Sequence, residues 1–591
     1  MSYSASASAP THPSNFISAL DSYTPTQLGE KGHLENGWSN DLREQVVQLS
    51  FQLVRTADPT DLGARMTKLL NQVHLLSDSR QCPSAIKQEY NLIKEILLSL
   101  TAQTRDVEAG KGEWTLSYEL LKSWWSVSEK TTFKLIKYFV HDIPVEGSAH
   151  PLGSWKDIKA IWAYFGGVKC PERLQDYLIN LINTQLKLDV SAENPTLCSR
   201  WVCREGGAAK SANPFKPLFQ ALAYDYFKHF IVTAKSDVTI ASARRKAITH
   251  YRTLLSGLNK RIRTPQINMC GGTWSEIKYP DVPSVALRKL TRSFQNLDKK
   301  NQPRSDSEDR IVAADNFTEF VDQAIKGEVV MKGKRVGITS IVNDGLKILD
   351  RMALGLTATK IDIDAINLQW RDGGKHIPNL GKFVVMADTS GSMFGDPLIA
   401  CLGLALRIAE KSTLGRRVMT FNNVPEWINL EGHIEFTDML NQIRNTNWGM
   451  NTNFTAALTL ILDVIVKNRL TTEEVEDMVL VILSDMQIDS KGNESLSEDM
   501  WGLIERLYSE AGIKLWGKPF NPPHILFWNL RSLSGTPITS KQKGATMMSG
   551  FSPALLNAFC EKGMDFLQSV TPWSQLVVSL DNPRYKLNAF E

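Results

Sequence analysis

The sequence predicts an α + α/β fold: an all-helical front followed by a doubly wound, mainly parallel sheet. Three observations predict it. From about Asn40 onward, apolar residues recur close to the 3.6-residue period of a helix. At Gly381 that pattern gives way to short, continuously apolar runs alternating with helical stretches, as expected of parallel strands covered on both faces. A length of 591 residues, 42% hydrophobic and 22% charged, is that of a multi-domain globular chain and excludes a mainly disordered or fibrous one. No apolar run reaches the roughly 18 residues that cross a bilayer, because Asp463 interrupts the best candidate at 458–466.

The elements follow in order. Residues 1–38, rich in Ser, Ala, Pro and Gly, read as a flexible arm with no secretory signal. Residues 39–380 read as a helical module. DLREQVVQLSFQLVRTAD places Leu42, Val46, Val47, Leu49, Leu53 and Val54 on one face. Further helical stretches follow, from SAIKQEYNLIKEILLSLTAQ to SARRKAITHYRTLLSGLNKRI, separated by Gly, Pro and Asn breaks. This is an antiparallel array of HEAT-like character without a clean repeat period. SFQNLDKKNQPRSDSEDR, residues 293–310, is almost wholly polar and predicts a long exposed loop.

Residues 381–591 carry the α/β pattern. The predicted strands are KFVVMAD, RRVMTFN, PEWINL, DMVLVILSDM, HILFWNL and ATMMSGF. The predicted helices are PLIACLGLALRIAEKS, EFTDMLNQIR, NFTAALTLILDVIVKN, SEDMWGLIERLYSEAG and SPALLNAFCEKG, with a helical extension beyond. Such sheets bind ligands at the carboxyl ends of their strands, near the switch in strand order.

One constellation sits at that edge. Asp388, Ser390 and Ser392 form D-x-S-x-S directly after the first strand; Thr452 precedes a helix; Asp485 ends another strand. Carboxylates and hydroxyls are oxygen donors suited to a hard cation such as Mg²⁺, with Mn²⁺ or Ca²⁺ as alternatives. Gly391 allows the loop to turn tightly between the serines. Read without a ligand, the same residues cap a helix N-terminus.

This arrangement, with its strand–helix order, resembles the metal-ion-dependent adhesion site (MIDAS) of von Willebrand factor A (vWA) domains over 381 to about 565. The resemblance implies Ser390, Ser392 and Thr452 as hydroxyl ligands, and Asp388 and Asp485 as carboxylates binding directly or through water. Asn453 stands where many such domains carry aspartate, and SDMQ replaces their Thr-Asp-Gly. A helical front before such a domain resembles the TROVE/Ro autoantigen ribonucleoproteins, which implies a HEAT-like ring binding small structured RNAs. GSWKDIKAI, CSRWVCREGG, FTEFVDQAIKGEVV and the 251–294 stretch are similar to an uncharacterised family found in large DNA viruses, plants, fungi and bacteria.

Net charge is +4, but residues 381–591 hold 18 Lys+Arg against 23 Asp+Glu, so the front is the basic part. The densest basic run is Arg244, Arg245, Lys246, Arg252, Lys260, Arg261 and Arg263, with Tyr251 among them and Arg288, Lys289 and Arg292 beyond. Such a run can neutralise phosphates, with Trp155, Trp201 and Trp274 as stacking surfaces; a solvated helix face and core tryptophans are the plain alternative. The seven cysteines form no C-x-x-C pair and read as reduced thiols of a cytoplasmic protein, with nuclear or virion placement as alternatives. G-x-x-x-x-G-K-[ST], G-x-S-x-G and H-E-x-x-H are all absent, and His433 and His524 read as structural.

The expectation is therefore a non-enzymatic scaffold. A divalent cation held by Asp388, Ser390, Ser392, Thr452 and Asp485 captures an acidic side chain of a protein partner, and the helical module offers a surface for structured RNA. The alternatives are a structural or assembly protein, a viral one included, acting through protein contacts alone, and a metal-dependent hydrolase.

Overall fold

The computed structural model describes residues 24–587 except 78–82, 144, 146–148, 207–212, 356–357, 423, 447–448, 450–452, 488–498 and 561–569. Its described strands are β1 Thr26–Leu28, β2 Leu34–Asn36, β3 Phe383–Asp388, β4 Arg417–Phe421, β5 Glu426–Asn429, β6 Val479–Ser484, β7 His524–Asn529 and β8 Ala545–Ser549. The first two form an antiparallel hairpin; the other six form one sheet in the order β5-β4-β3-β6-β7-β8. Only the β4–β5 pairing in that sheet is antiparallel.

The apolar strand runs have a simple cause. β6 (VLVILS) and β7 (HILFWN) are buried at every position, so neither face has reason to be polar. On one side, Val385, Ala387, Val481, Leu483, Leu526 and Trp528 pack with helices Ile338–Ala353, Lys360–Gly374, Asp396–Lys411 and Phe436–Arg444. On the other, Met386, Leu480, Ile482, Ile525 and Phe527 meet helices Phe454–Lys467 and Met500–Trp516. The chain places β4 on one side of β3, then returns to set β6 on the other. The switch in strand order therefore lies between β3 and β6, with Ala387 paired to Leu483 at its carboxyl edge.

The front is helical. Helices Leu42–Gln52, Thr60–Ser77, Ser84–Arg105, Trp114–Val127, Glu129–Val140, Lys156–Tyr164, Glu172–Ser191, Lys216–Tyr226 and Asp237–Ile262 share one core. Start signals are local: the Asp41 side chain accepts from Glu44 N at 2.9 Å, and Ser236 with Thr239 forms a capping box. A smaller core, with Tyr279, Phe294, Phe317 and Phe320, joins helices Ser284–Phe294 and Glu308–Lys326 to Lys360–Gly374.

Three expectations are corrected. Residues 24–38 are not a free arm. Asn36 and Thr536 exchange backbone bonds at 2.9 and 3.0 Å, and Gln27 Nε2 donates to Ser534 Oγ at 2.9 Å, so distant acceptors order a stretch with no periodicity of its own; residues 1–23 lie outside the described ones. The polar 293–310 stretch is anchored as well as exposed. Its Gln295 and Asn296 are buried, and Gln295 Nε2 donates to Asp362 Oδ1 at 2.8 Å. Nor do the helical module and the sheet separate at Gly381. Helix Leu42–Gln52 and the residues directly after it are wedged between them, with Phe51 in one sheet core, Val54 in the other and Val46 in the helical core.

Polar contacts lock this wedge. Gln52 Nε2 donates to Gly535 O at 2.5 Å, and Asn529 Nδ2 to Phe51 O at 2.9 Å. The wedge helix ends on the buried Lys111 ammonium, which donates to Ser50 O, Leu53 O and Ser549 Oγ at 2.8, 3.0 and 2.6 Å. Ser549 Oγ gives its own proton to Ser50 O at 2.7 Å, so all three bonds to the lysine come from the ammonium.

The chain's far end closes back on the front. Helix Pro572–Leu580 and Tyr585 join the helical core. Arg584 donates to both oxygens of Asp106, Nε at 2.9 Å and Nη2 at 2.8 Å, and both residues are buried. Breaking a buried pair strands one charge. Arg584→Ala is expected to cost about 3–5 kcal/mol, read as a lowered urea midpoint; a midpoint close to the wild type's shows that this pair does not hold the closure.

Candidate metal centre

The strand register assembles the site. Asp388 ends β3 and Ser484 ends β6, one step beyond the Ala387–Leu483 pair. Ser484 Oγ donates to Asp388 Oδ2 at 2.6 Å, and Ser390 N donates to Asp388 Oδ1 at 2.9 Å. Ser390 and Ser392 bring their hydroxyls within 3.2 Å of each other across the one-turn helix Gly391–Met393. Thr389 N donates to Phe421 O at 3.2 Å and Asn422 Nδ2 to Thr389 Oγ1 at 3.2 Å, fixing the loop to the end of β4.

Asp485 follows β6 directly, on the other side of the switch point. Its Oδ1 accepts from Gln487 N at 3.1 Å, and Met486 N donates to Ser484 Oγ at 3.0 Å. These two bonds brace Met486, whose φ of 61° is left-handed and costly for a residue with a Cβ. Asp485 Oδ2 is buried and has no hydrogen-bond partner among the described residues; the nearest cation is Arg531 Nη1 at 3.5 Å. Burial first, and the charge of Asp485 second, hold the Asp388 carboxyl above the ordinary aspartate range, against hydrogen bonds from Ser390 and Ser484 that pull it down.

The donor set fits a hard divalent cation. Two carboxylates press on one another, one of their oxygens lacks a donor, and two hydroxyls stand beside them. Asp388, Ser390, Ser392 and Asp485 are thus brought to one sheet edge, and Thr452 lies outside the described residues. Asn453 takes the N-cap of helix Phe454–Lys467, its Oδ1 accepting from Ala456 N at 3.1 Å. Among the described residues no three His, Cys, Asp or Glu side chains gather as a metal centre; Asp388 and Asp485 contribute two carboxylates here, and Ser390 and Ser392 two hydroxyls. His524, buried with Nε2 3.0 Å from Thr546 Oγ1, sits within the sheet rather than at this edge.

Sequence reasoning missed Ser484 and Arg531. Ser484 was visible as the residue before Asp485 at a strand end. Arg531 lies two residues past β7, also at the carboxyl edge, but pairing across strands is not written in local pattern.

The basic run lies on or just past helix Asp237–Ile262, and Arg244, Arg245, Lys246, Arg252, Lys260, Arg261 and Arg263 are all exposed. Arg252 pairs with Glu205, and Arg261 Nη1 donates to Val190 O at 3.0 Å. Lys246 Nζ lies 4.3 Å from the Phe230 ring centroid. Tyr251, expected among them as an aromatic, is instead fully buried, its OH donating to Asn183 Oδ1 at 3.1 Å. Trp155 is buried too, while Trp201 and Trp274 are half-buried under Arg200 and Arg310. Arg288 and Arg292 are taken up by Asp344 and Asp362. Among the described residues no helix is long and apolar enough to cross a membrane.

Residues 382–575 match the family described as Domain of unknown function (DUF7788). The chain is also similar to the uncharacterized protein L728 of Acanthamoeba polyphaga mimivirus, at 24% identity over 499 residues that cover 80% of this chain and 78% of the relative. A match of that length takes in the helical front as well as the sheet.

Ser484→Ala removes a buried donor to Asp388 and an acceptor for Met486 N. It is expected to lower stability by about 1–3 kcal/mol, measured by urea denaturation without divalent ions; an unchanged midpoint shows that Ser484 does not carry Asp388.

Proposed function

We propose that this chain is a non-enzymatic binding protein whose C-terminal unit is an A-type domain holding a divalent cation at a MIDAS-type site. Asp388, Ser390, Ser392 and Asp485 hold the ion, and Thr452 is the proposed further hydroxyl. The observation that carries the reading is Asp485 Oδ2, a buried carboxylate oxygen without a hydrogen bond among the described residues, across the β3–β6 switch from a second buried carboxylate. A bound divalent ion supplies two positive charges and an open coordination position that an acidic side chain of a partner completes. Phe394, 87% exposed and two residues past Ser392, offers an apolar contact next to that position. The architecture supports the same reading: a mainly parallel sheet with one antiparallel edge strand, preceded by a helical front that we read as HEAT-like and TROVE-like.

No general base is assigned. The acids at the site are assigned to the ion, which leaves a hydrolase reading without an assigned residue to activate water among the described ones. Purely structural assembly through protein contacts gives no role to Asp485 Oδ2, which among the described residues has an ion-pair cation at 3.5 Å but no hydrogen bond.

The test is a titration of the full chain with Mn²⁺ and Mg²⁺, followed by calorimetry. One site per chain is expected, with affinity lowered at least about tenfold in Asp388→Ala. Equal binding by wild type and variant, or none by either, removes the proposal.

A second reading, structured RNA on the helical front, rests on a separate observation. Of the seven exposed basic residues between 244 and 263, only Arg252 has an ion-pair partner among the described residues. Replacing Arg244, Arg245 and Lys246 together by Gln is expected to weaken RNA binding for every sequence tried. The slope of log affinity against log salt should fall by about 1 per lost phosphate contact, measured by filter binding. An unchanged slope excludes this face.

A further inference from the structure

We infer that Arg531 is an internal cation that competes with the divalent ion for Asp485, and that the N-terminal hairpin β1–β2 is coupled to the site through it. This rests on the cation-site reading above and names its regulation.

The geometry is as follows. Arg531 follows β7, and its backbone N donates to Asn529 Oδ1 at 3.0 Å, which fixes the start of its side chain at the sheet's carboxyl edge. Its Nη1 lies 3.5 Å from Asp485 Oδ2 and 3.4 Å from Glu30 Oε2. One guanidinium nitrogen thus stands between two carboxylates from segments about 450 residues apart in the chain. The Asp485 side chain has no exposure, whereas Arg531 is 39% and Glu30 56% exposed. The pairing at Asp485 compensates charge without a hydrogen bond, so the oxygen keeps a lone pair facing a cation that does not grip it.

A divalent ion held by Asp485 would share an oxygen with a guanidinium 3.5 Å away; the two cations would repel one another, and the Arg531 side chain, with half the charge and no hydrogen bond to that oxygen, would be the one to leave. Glu30 then loses the charge that holds it.

Glu30 occupies the turn of the hairpin, between Gly29 and Gly32, whose Gly32 N–Gly29 O bond is 2.9 Å. The strands themselves are tied down elsewhere, by Asn36 to Thr536, Gln27 to Ser534 and the Leu34–Asp499 bridge. Ion entry therefore loosens the turn while the base of the hairpin stays in place. The released Arg531 stands ready, next to the ion, to pair with the incoming carboxylate of a partner.

The experiment uses the full chain and Mn²⁺. Calorimetric titration compares wild type with Arg531→Gln, and amide hydrogen exchange follows residues 26–36 with and without the ion. The proposal expects Arg531→Gln to bind Mn²⁺ about tenfold tighter. In the wild type Mn²⁺ should speed exchange in the 29–33 turn; in Arg531→Gln the turn should exchange fast already and not respond. Mn²⁺ binding that is unchanged or weaker in Arg531→Gln overturns the competition. A wild-type turn whose exchange ignores bound Mn²⁺ overturns the coupling, and that measurement needs no variant. If neither protein binds Mn²⁺, the cation site itself fails and this inference with it; if both bind alike, only the inference fails.

Discussion

The burial of two carboxylates beside each other, at the ends of β3 and β6, is the constraint around which the sheet's carboxyl edge is built. An ionised group leaves water only if something replaces its solvation. Asp388 has that replacement in Ser390 N and Ser484 Oγ. Among the described residues Asp485 has a hydrogen-bond donor on one oxygen only, the other facing Arg531 at 3.5 Å. The strand-order switch creates the opening between them, the D-x-S-x-S loop lines it with hydroxyls, and a left-handed Met486 is tolerated to aim Asp485 into it.

A second constraint runs through helix Leu42–Gln52. Its apolar residues serve the helical core and one sheet core, Val54 just past its end serves the other, and its carboxyl end is stitched to the sheet through Lys111, Asn529 and Gln52. The hairpin before it and the 529–536 segment beyond β7 are therefore neighbours, which is how residues near the front reach the rim of the candidate centre. Arg584 on Asp106 performs the reciprocal closure from the other terminus.

Much of this was legible in the sequence, for definable reasons. Fully buried parallel strands have to be apolar throughout, so β3, β6 and β7 announce themselves. That Asp388, Ser390, Ser392 and Asp485 come together was readable because polar residues directly after such runs sit at the carboxyl edge of the sheet. What failed depends on long-range partners. The hairpin strands are three residues each, too short for periodicity, and are ordered by Thr536 and Ser534 some five hundred residues away. The 293–310 loop is polar yet anchored, because Asp362 supplies the acceptor. Tyr251 looked like part of a basic surface, but a helix exposes neighbours on different faces, and its face is the core.

The interlocking of front and sheet also bears on modularity. Cutting at Gly381 would strip the sheet of Phe51 and Val54 and of the helices at 338–374 that roof one of its faces. The same cut would leave Leu576, Leu580 and Tyr585 without the pocket they fill. The sheet is consequently no portable cassette in this chain: excised alone, it would bare greasy flanks prone to self-association.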